Sequence, residues 1–356
     1  MSEEKLIDEF RKFKPKLSDL STRLEALLKT LVANESIQFH QITSRVKTED
    51  SLKKKIRRKE KYSDLNQITD LLGVRVITYF DDDVDRIAHI ISDEFEIDEN
   101  NSTDKRNTDS TSFGYKSLHF VVELSNQRLT LSEWKNYVNY KFEVQIRSIL
   151  QHTWAEIEHD LGYKASSEIP MQEKRSFARI SAVLEMVDQE FRALRDRLIE
   201  YETTLPLLIQ ESPETVKIDR ASVNEFIKNN ALLNEIDLEL ARQINVKIDQ
   251  SESKFPYSEM IDFFEIKNIK ELQEILEQNR EGLIQFATEY LNRVDSIVKG
   301  QSLYILPYLL TAKTGNKTKI ENYIKALSIG KDSEAIANRI MTTYQVTQKN
   351  TDHNIG

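Results

Sequence analysis

The chain has 356 residues, a net charge of −9 and no cysteine, which excludes disulfides, cysteine nucleophiles and thiolate zinc sites and is typical of a reducing, cytoplasmic location. We expect no membrane span, because no apolar run approaches the roughly 18 residues needed, and no signal peptide, because residues 1–5 lack its basic and apolar regions. Eight glycines and six prolines favour long helices over a barrel or sandwich of many short strands.

The N-terminal region alternates between helix and strand signals. Leucines at helical spacing predict an amphipathic helix over the first ~35 residues, broken near Pro15. Residues 37–46 predict a short strand that leads into a basic helix. Residues 45–61 hold nine Lys or Arg and three Asp or Glu, a local charge of +6 in an acidic chain. This favours a phosphate-rich ligand, although a solvated helix face alone has the same pattern. Ser51 lies near the helix start, where anions bind favourably.

Three later segments predict strands, and the second and third of them present polar groups on one face. The first begins at Asp70 and continues into a β-branched run that favours a strand. The second follows Gly114, which permits a tight turn. The third covers residues 141–147, where alternation with period two predicts a strand with one core face. On the polar faces of the second and third segments are Ser117, His119, Glu143, Gln145 and Arg147.

Two of these strands supply one carboxylate each, Asp70 and Glu143. Mg²⁺ prefers one or two carboxylates together with the phosphates of a substrate. A cationic helix beside such a metal site is the set of groups that phosphoryl transfer requires. The residues therefore predict that Asp70 and Glu143 share one Mg²⁺ ion beside the basic helix.

The remaining segments predict helices and one loop. Residues 83–95 predict a helix and residues 99–112 a polar loop. Ser148 is suited to cap a further helix. The core stripe predicted for that helix is Leu150, Trp154, Ile157 and Leu161. Apolar residues over 177–198 continue a helical seam. This seam and the N-terminal leucines are compatible with packing inside the fold or between the subunits of a homo-oligomer.

Prolines near residues 206–213 mark the boundary between two predicted domains, residues 1–205 and 214–348. The first is predicted as α+β, a mixed β-sheet flanked by helices. The second is predicted as all-α, with helices within 223–248, within 269–298 and from 320 onward. We find no internal repeat and no catalytic motif in it. It is predicted to be an accessory or regulatory domain that binds a protein trigger.

Four segments in order resemble the synthetase domain of the RelA/SpoT family of alarmone synthetases, over roughly residues 20–200. They are Arg45-x-Lys47-x-x-x-Ser51-x-x-x-Lys55, Asp70-Leu-Leu-Gly-Val-Arg75, Gly114-Tyr115-Lys-Ser-Leu-His119, and Glu143-x-Gln145-x-Arg147 followed by Gln151-His152-x-Trp154-Ala-Glu156. Each segment alone is a weak indication of the family, but the four segments in this order are a specific one. The resemblance implies a nucleotidyltransferase-like mixed sheet. It also implies transfer of the β,γ-pyrophosphoryl group of ATP to the ribose 3′-hydroxyl of GDP or GTP, giving (p)ppGpp.

The same resemblance assigns roles by position in these motifs. Asp70 corresponds to the Mg²⁺ ligand, and Glu143 to its partner ligand and to the base that activates the 3′-hydroxyl. Tyr115 corresponds to the aromatic side chain that stacks on the acceptor base. The ATP side is assigned to Arg45, Lys47, Ser51, Lys55 and Arg75. The acceptor side is assigned to Tyr115, Lys116, His119, Gln145 and Arg147.

One departure from the family pattern leaves the acceptor open. A lysine and an asparagine usually precede the Gly-Tyr pair, where this chain has Thr111 and Phe113. The first alternative is therefore the same transfer onto the 3′ end of tRNA, as a translation-blocking toxin in phage defence controlled by the C-terminal domain. The second alternative is a non-catalytic nucleotide-binding regulator. Retention of both Asp70 and Glu143 argues against it, because like charges beside a triphosphate are unfavourable without a metal.

A second departure concerns domain content. We expect no hydrolase domain like that of the long family members, because the region before the synthetase motifs is short, and the C-terminal part does not resemble their ribosome-binding regulatory modules. The chain is therefore expected to resemble a small synthetase with a helical extension.

Overall fold

The fold is seen in a computed structural model that describes residues 3–59, 62–104, 117–164, 170–249, 255, 257–327, 329–330 and 332–353. Its internal contacts divide the chain into two units, Met1–Asp196 and Arg197–Gly356. The predicted domain limits at 205 and 214 stay predictions. Among the described residues, no helix combines the length and the apolar character that crossing a membrane would require.

Alternating apolar residues in two distant segments build the centre of the sheet in the first unit. β2 (Leu72–Thr78) and β6 (Phe142–Ser148) run parallel, and Val74, Val76 and Ile146 are fully buried. The strand order is β1-β2-β6-β5-β3, with β4 also paired to β5, and every contact except β2–β6 is antiparallel. The other strands are β1 (Phe39–Val46), β3 (Phe95–Ile97), β4 (Thr103–Asp104) and β5 (Leu118–Leu124). The mixed sheet predicted from the sequence is confirmed.

Helices flank this sheet because each buries one apolar stripe. α1 buries leucines along its length, and α3 buries Val84, Ile87 and Ile91. Short 3₁₀ turns lie at Leu65–Gln67 and Lys135–Tyr137. The helices are α1 (Glu3–Asn34), α2 (Glu49–Lys59), α3 (Asp83–Glu94), α4 (Asn126–Leu129), α5 (Ile149–Lys164) and α6 (Met171–Glu211), the last of which crosses the boundary between the units.

Two helical predictions were wrong in detail. α1 is not broken at Pro15, because Phe10 and Leu17 on either side are buried in the core and this packing holds the helix together despite the missing N–H. In α5, Trp154 is buried, but Ile157 and Leu161 are 51% and 54% exposed. The helical spacing was right, but the later turns of α5 are not packed closely enough to bury these side chains.

The second unit is largely helical, as predicted, with one small addition. β7 (Lys247–Asp249) and β8 (Ser296–Val298) form a two-stranded parallel sheet. The helices are α7 (Arg220–Asn229), α8 (Ala231–Gln243), α9 (Tyr257–Asp262), α10 (Ile269–Gln278), α11 (Arg280–Tyr290), α12 (Gln301–Lys313), α13 (Lys317–Ala326) and α14 (Ser333–His353). Its core is a separate cluster that includes Phe226, Phe286, Tyr308 and Tyr323.

This unit contains an internal repeat that the sequence analysis missed. A helix–helix–strand arrangement occurs as α7-α8-β7 and again as α10-α11-β8. Asp219 and Asn268 cap the first helix of each copy through side-chain oxygens. The equivalent strands pair with each other, with Lys247 opposite Ser296. Because the copies share the order of elements and the cap chemistry rather than residue identities, the repeat is apparent only from the structure.

Candidate active site

Strand register places the predicted polar residues in two rows across the sheet. Arg45, Gly73 and Glu143 are direct partners on β1, β2 and β6. The next row across four strands consists of Thr43, Arg75, Gln145 and His119. Directly paired residues share a face of a sheet. The β2–β6 pair therefore brings together motifs that lie far apart along the chain.

These rows border a cleft of about 250 Å³. Its lining includes the predicted residues Arg45, Lys47, Ser51, Asp70, Arg75, Glu143 and Gln145. Gly73 also lines it, and a Cβ atom built at Gly73 would meet nothing within 4 Å. Tyr115 and Lys116, together with the departures at Thr111 and Phe113, lie outside the described residues. Four of the five ATP-side residues thus line one cleft, and the fifth, Lys55, contacts Asp70. Of the predicted acceptor residues, two have no described position, and only Gln145 among the described ones lines the cleft.

Asp70 is held by two cations from the basic region. Lys47 Nζ lies 3.1 Å from Oδ2, and Lys55 Nζ lies 2.7 Å from Oδ1. Burial opposes the charge on Asp70, but Lys55 and Lys47 outweigh it and hold the pKa of this carboxyl below its ordinary value. Asp70 is therefore ionised at neutral pH, and each of its oxygens faces a positive charge.

Glu143 is oriented by its neighbours on the same sheet face. His119 Nδ1 lies 2.9 Å from Oε1, and Gln145 Nε2 donates to Oε2 at 3.1 Å. Burial and the charge of Asp70 favour the neutral acid, but the contacts with His119 and Gln145 prevail and lower the pKa of Glu143. The effect of Asp70 on this pKa means that the two carboxylates are electrostatically coupled across the cleft.

Arg147 does not line the cleft, although an acceptor-binding position was expected for it. Its side chain is only 6% exposed, and Nη2 lies 3.2 Å from His119 Nε2. Burial, aided by the positive charges of Arg75 and Arg45, lowers the pKa of Arg147 to about 10. The guanidinium therefore remains charged at neutral pH while it contacts His119.

Glu156 is a site residue to which the sequence analysis assigned no role. Its Oε1 forms an ion pair with Arg75 Nη1 at 3.1 Å and lies 3.8 Å from His152 Nδ1. Burial lowers the pKa of His152, and Glu156 only partly opposes this effect. His152 and Glu156 lie one turn apart on α5, directly after the Glu143 strand. That spacing was a signal that they share a face toward the site.

The donor set of the cleft fits a hard divalent cation. Asp70 and Glu143 both line it, and the described residues contain no cluster of three or more His, Asp or Glu able to hold a metal without help. Mg²⁺ commonly takes one or two carboxylates and completes its shell with water and substrate phosphates. Asp70 and Glu143 are the residues that would hold it.

The open space beside Gly73 in the cleft leads to a testable prediction. We expect Gly73→Ala to raise the unfolding free energy by about 0.5–1 kcal/mol, because glycine is unfavourable within a strand. The added methyl group would occupy the cleft, so binding of an ATP analogue should weaken severalfold. Urea unfolding and calorimetric titration measure the two effects. Gly282→Ala is the control, since its Cβ would make an ordinary 4.0 Å contact with Leu309. If Gly73→Ala bound the analogue as well as the parent does, the nucleotide would not occupy the space beside Gly73.

A second cavity of about 160 Å³ lies beyond the end of β6. Asp188 of α6 lines it, is 4% exposed, and accepts a hydrogen bond from Ser148 Oγ at 2.8 Å. Burial raises the pKa of Asp188 to about 6, and the nearby charge of Asp81 adds to the shift. The ionised form is therefore unfavourable in the folded protein.

We expect Asp188→Asn to stabilise the fold at neutral pH. The folded-state pKa of about 6 exceeds the unfolded value, so stability is full below about pH 4 and falls as the pH rises through 6. The penalty at pH 7 is about 3 kcal/mol, which the amide avoids while still accepting from Ser148. Urea unfolding at pH 7.5 and pH 4 measures this difference. The exposed Glu190→Gln on the same helix is the control, and a gain independent of pH would contradict the prediction.

Comparison with known proteins places these residues within a described family region. Residues 44–168 match the family model described as "Region found in RelA / SpoT proteins". That range contains Arg45, Asp70, Gly73, Glu143 and Gln145.

Two curated relatives and one solved structure illustrate the similarity. GTP pyrophosphokinase YjbM of Bacillus subtilis is 29% identical over 195 residues, covering 53% of this chain and 87% of that protein. GTP pyrophosphokinase YwaC of the same organism is 27% identical over 156 residues, covering 43% of this chain and 71% of that protein. The crystal structure of small alarmone synthetase 1 from Bacillus subtilis bound to its product pppGpp is similar over 53% of this chain and 97% of that one, with 26% identity and a TM-score of 0.44.

Proposed function

We propose that this chain, which carries a RelA/SpoT domain of the small alarmone synthetase type and is a pyrophosphokinase, transfers the β,γ-pyrophosphoryl group of ATP to the 3′-hydroxyl of GDP or GTP. The products are AMP and (p)ppGpp. The names of the two curated relatives support GTP as an acceptor. The observation that carries the proposal is that Asp70 and Glu143 line one cleft together with Arg45, Lys47 and Arg75.

In the proposed reaction, one bond forms, one bond breaks and one proton moves to a side chain of the cleft. The acceptor 3′-oxygen attacks the β-phosphorus of ATP, and the bond from that phosphorus to the oxygen bridging it to the α-phosphate breaks. AMP leaves with this oxygen. The proton of the 3′-hydroxyl passes to Glu143, whose oxygens each accept one bond from His119 or Gln145 and retain a further lone pair.

In the proposed reaction, Lys47 and Lys55 contact first Asp70 and then the phosphates of ATP. Without nucleotide, Lys47 and Lys55 neutralise Asp70. The phosphates of ATP carry more negative charge than one carboxylate and compete for the same ammonium groups. When the lysines turn to the phosphates, Asp70 becomes available to a divalent cation. Mg²⁺, when bound by Asp70 and Glu143, would neutralise charge that develops on the transferred phosphates.

Product identification tests the proposal. Purified protein is incubated with γ-³²P-ATP, Mg²⁺ and a mixture of GDP, GTP and bulk tRNA. We expect the label on guanosine 3′-diphosphate products, together with one AMP for each transfer. Label on tRNA would instead establish the toxin-like alternative. Absence of transfer to every acceptor, by protein that binds an ATP analogue, would refute the function and support a binding role.

A further inference from the structure

The arrangement of Glu143, His119 and Arg147 extends the proposed function, on which the following inference rests. β5 and β6 are antiparallel, with His119 directly opposite Gln145. Glu143 and Arg147 lie two residues to either side of Gln145 and share its face of the strand. The His119 ring therefore stands between them. It is 2.9 Å from Glu143 Oε1 through Nδ1 and 3.2 Å from Arg147 Nη2 through Nε2.

The chemistry of these groups fixes the direction of both hydrogen bonds. A guanidinium has N–H donors and no acceptor, so Arg147 donates and His119 Nε2 accepts. An imidazole whose Nε2 accepts carries its proton on Nδ1. Nδ1–H therefore donates to the Glu143 carboxylate. Arg147 thereby selects the tautomer of His119 that can orient Glu143.

The burial of Arg147 agrees with this indirect role. Its side chain is 6% exposed and does not line the cleft, whereas Arg45 and Arg75 on the same sheet do. Placing a guanidinium there is unfavourable, since burial and two neighbouring arginines oppose its charge and the carboxylate of Glu156 offsets them only in part. A hydrophobic side chain would suit this position better if only packing mattered.

We propose that Arg147 is a positioning residue of the transfer reaction. It holds His119 as the Nδ1–H tautomer, and His119 in turn orients the Glu143 carboxylate toward the acceptor hydroxyl. Arg147 itself does not bind the acceptor nucleotide.

A double-mutant cycle tests the proposal kinetically. Arg147→Met removes the donors, and we expect kcat to fall about 10–100-fold with the KM of ATP and of the acceptor unchanged, as for other groups that orient a reactive ligand. Arg147→Lys retains donors and should recover part of this loss. His119→Asn keeps an N–H near the Nδ1 position that does not depend on Arg147. In that background Arg147→Met should cause no further loss.

Two kinetic outcomes would overturn the inference. Additive losses in the double variant would mean that Arg147 does not act through His119. A raised acceptor KM with preserved kcat would mean direct binding of the acceptor. Thermal unfolding of each variant identifies any loss that comes only from unfolding.

A spectroscopic measurement separates this inference from the proposed function. Long-range ¹H–¹⁵N spectra report imidazole tautomers without any turnover, and His119→Asn assigns the signal. We expect neutral Nδ1–H for His119 in the parent protein and a mixture of tautomers in Arg147→Met. The Nε2–H form in the parent would refute the positioning role even if transfer is observed. Absence of transfer with the expected tautomer would refute only the function.

Discussion

Glu143→Gln is expected to lower kcat for pyrophosphoryl transfer by about 10²–10⁴-fold, the usual contribution of a positioned general base. Glutamine has the same shape, and its oxygen can still accept from His119, but it cannot take a proton. The lowered pKa makes Glu143 a weak base. A weak base suits a loose transition state, in which the attacking oxygen gains little bonding and the proton leaves late.

The measurement is AMP release at saturating ATP and acceptor, with the affinity for a non-hydrolysable ATP analogue determined in parallel. Unchanged analogue affinity with lost turnover would assign Glu143 to chemistry rather than to ATP binding. Glu123→Gln on the neighbouring strand β5 is a suitable control, because Glu123 does not line the cleft. Turnover by Glu143→Gln close to that of the parent would exclude Glu143 as the proton acceptor.

Asp70→Asn is expected to produce a loss of similar size for a different reason. A metal that polarises phosphoryl oxygens contributes several kcal/mol, and about 3–4 kcal/mol corresponds to about 10²–10³-fold in rate. Loss of one of two carboxylate ligands should remove most of this. Mn²⁺ binding followed by electron paramagnetic resonance, with an ATP analogue present, should weaken in parallel. The exposed Asp93→Asn on α3 serves as control, and parent-like Mn²⁺ affinity in Asp70→Asn would rule out its role as a ligand.

The same substitution should also change stability in a pH-dependent way. Lys47 and Lys55 keep the folded-state pKa of Asp70 below its ordinary value, so the ionised carboxylate stabilises the fold at neutral pH. This contribution is present above the unfolded pKa of about 4 and disappears as the pH falls through the lower folded value. Asp70→Asn should therefore be less stable than the parent at pH 7. Urea unfolding should show the difference shrinking below about pH 4.

Local patterns predicted β1, β2, β5, β6 and most of the cleft, but not the short strands β3 and β4, which lie where the end of a helix and a loop were expected. A β-branched run identified β2 and period-two alternation identified β6. The motifs that begin at Asp70 and Glu143 assigned the residues that strand register then placed together. The contact of Arg147 with His119 could not be predicted, because it depends on how β5 aligns with β6. A shift of one residue would have turned His119 to the other face.

Other differences arose where burial outweighs local preference. Pro15 lies inside a continuous helix because buried side chains on both sides of it hold α1 against the core. Ile157 has the right spacing for a core residue but remains about half exposed in the folded protein. The strands β7 and β8 are too short to show a period, so the small sheet of the second unit had no sequence signal.

The parallel pairing of β2 with β6 has a consequence for biosynthesis. Asp70 emerges from the ribosome long before Glu143, and a long loop must close before the two strands can meet. A nascent or truncated chain that ends before β6 therefore contains Asp70 without Glu143. The two carboxylates therefore come to one cleft only when β6 completes the sheet.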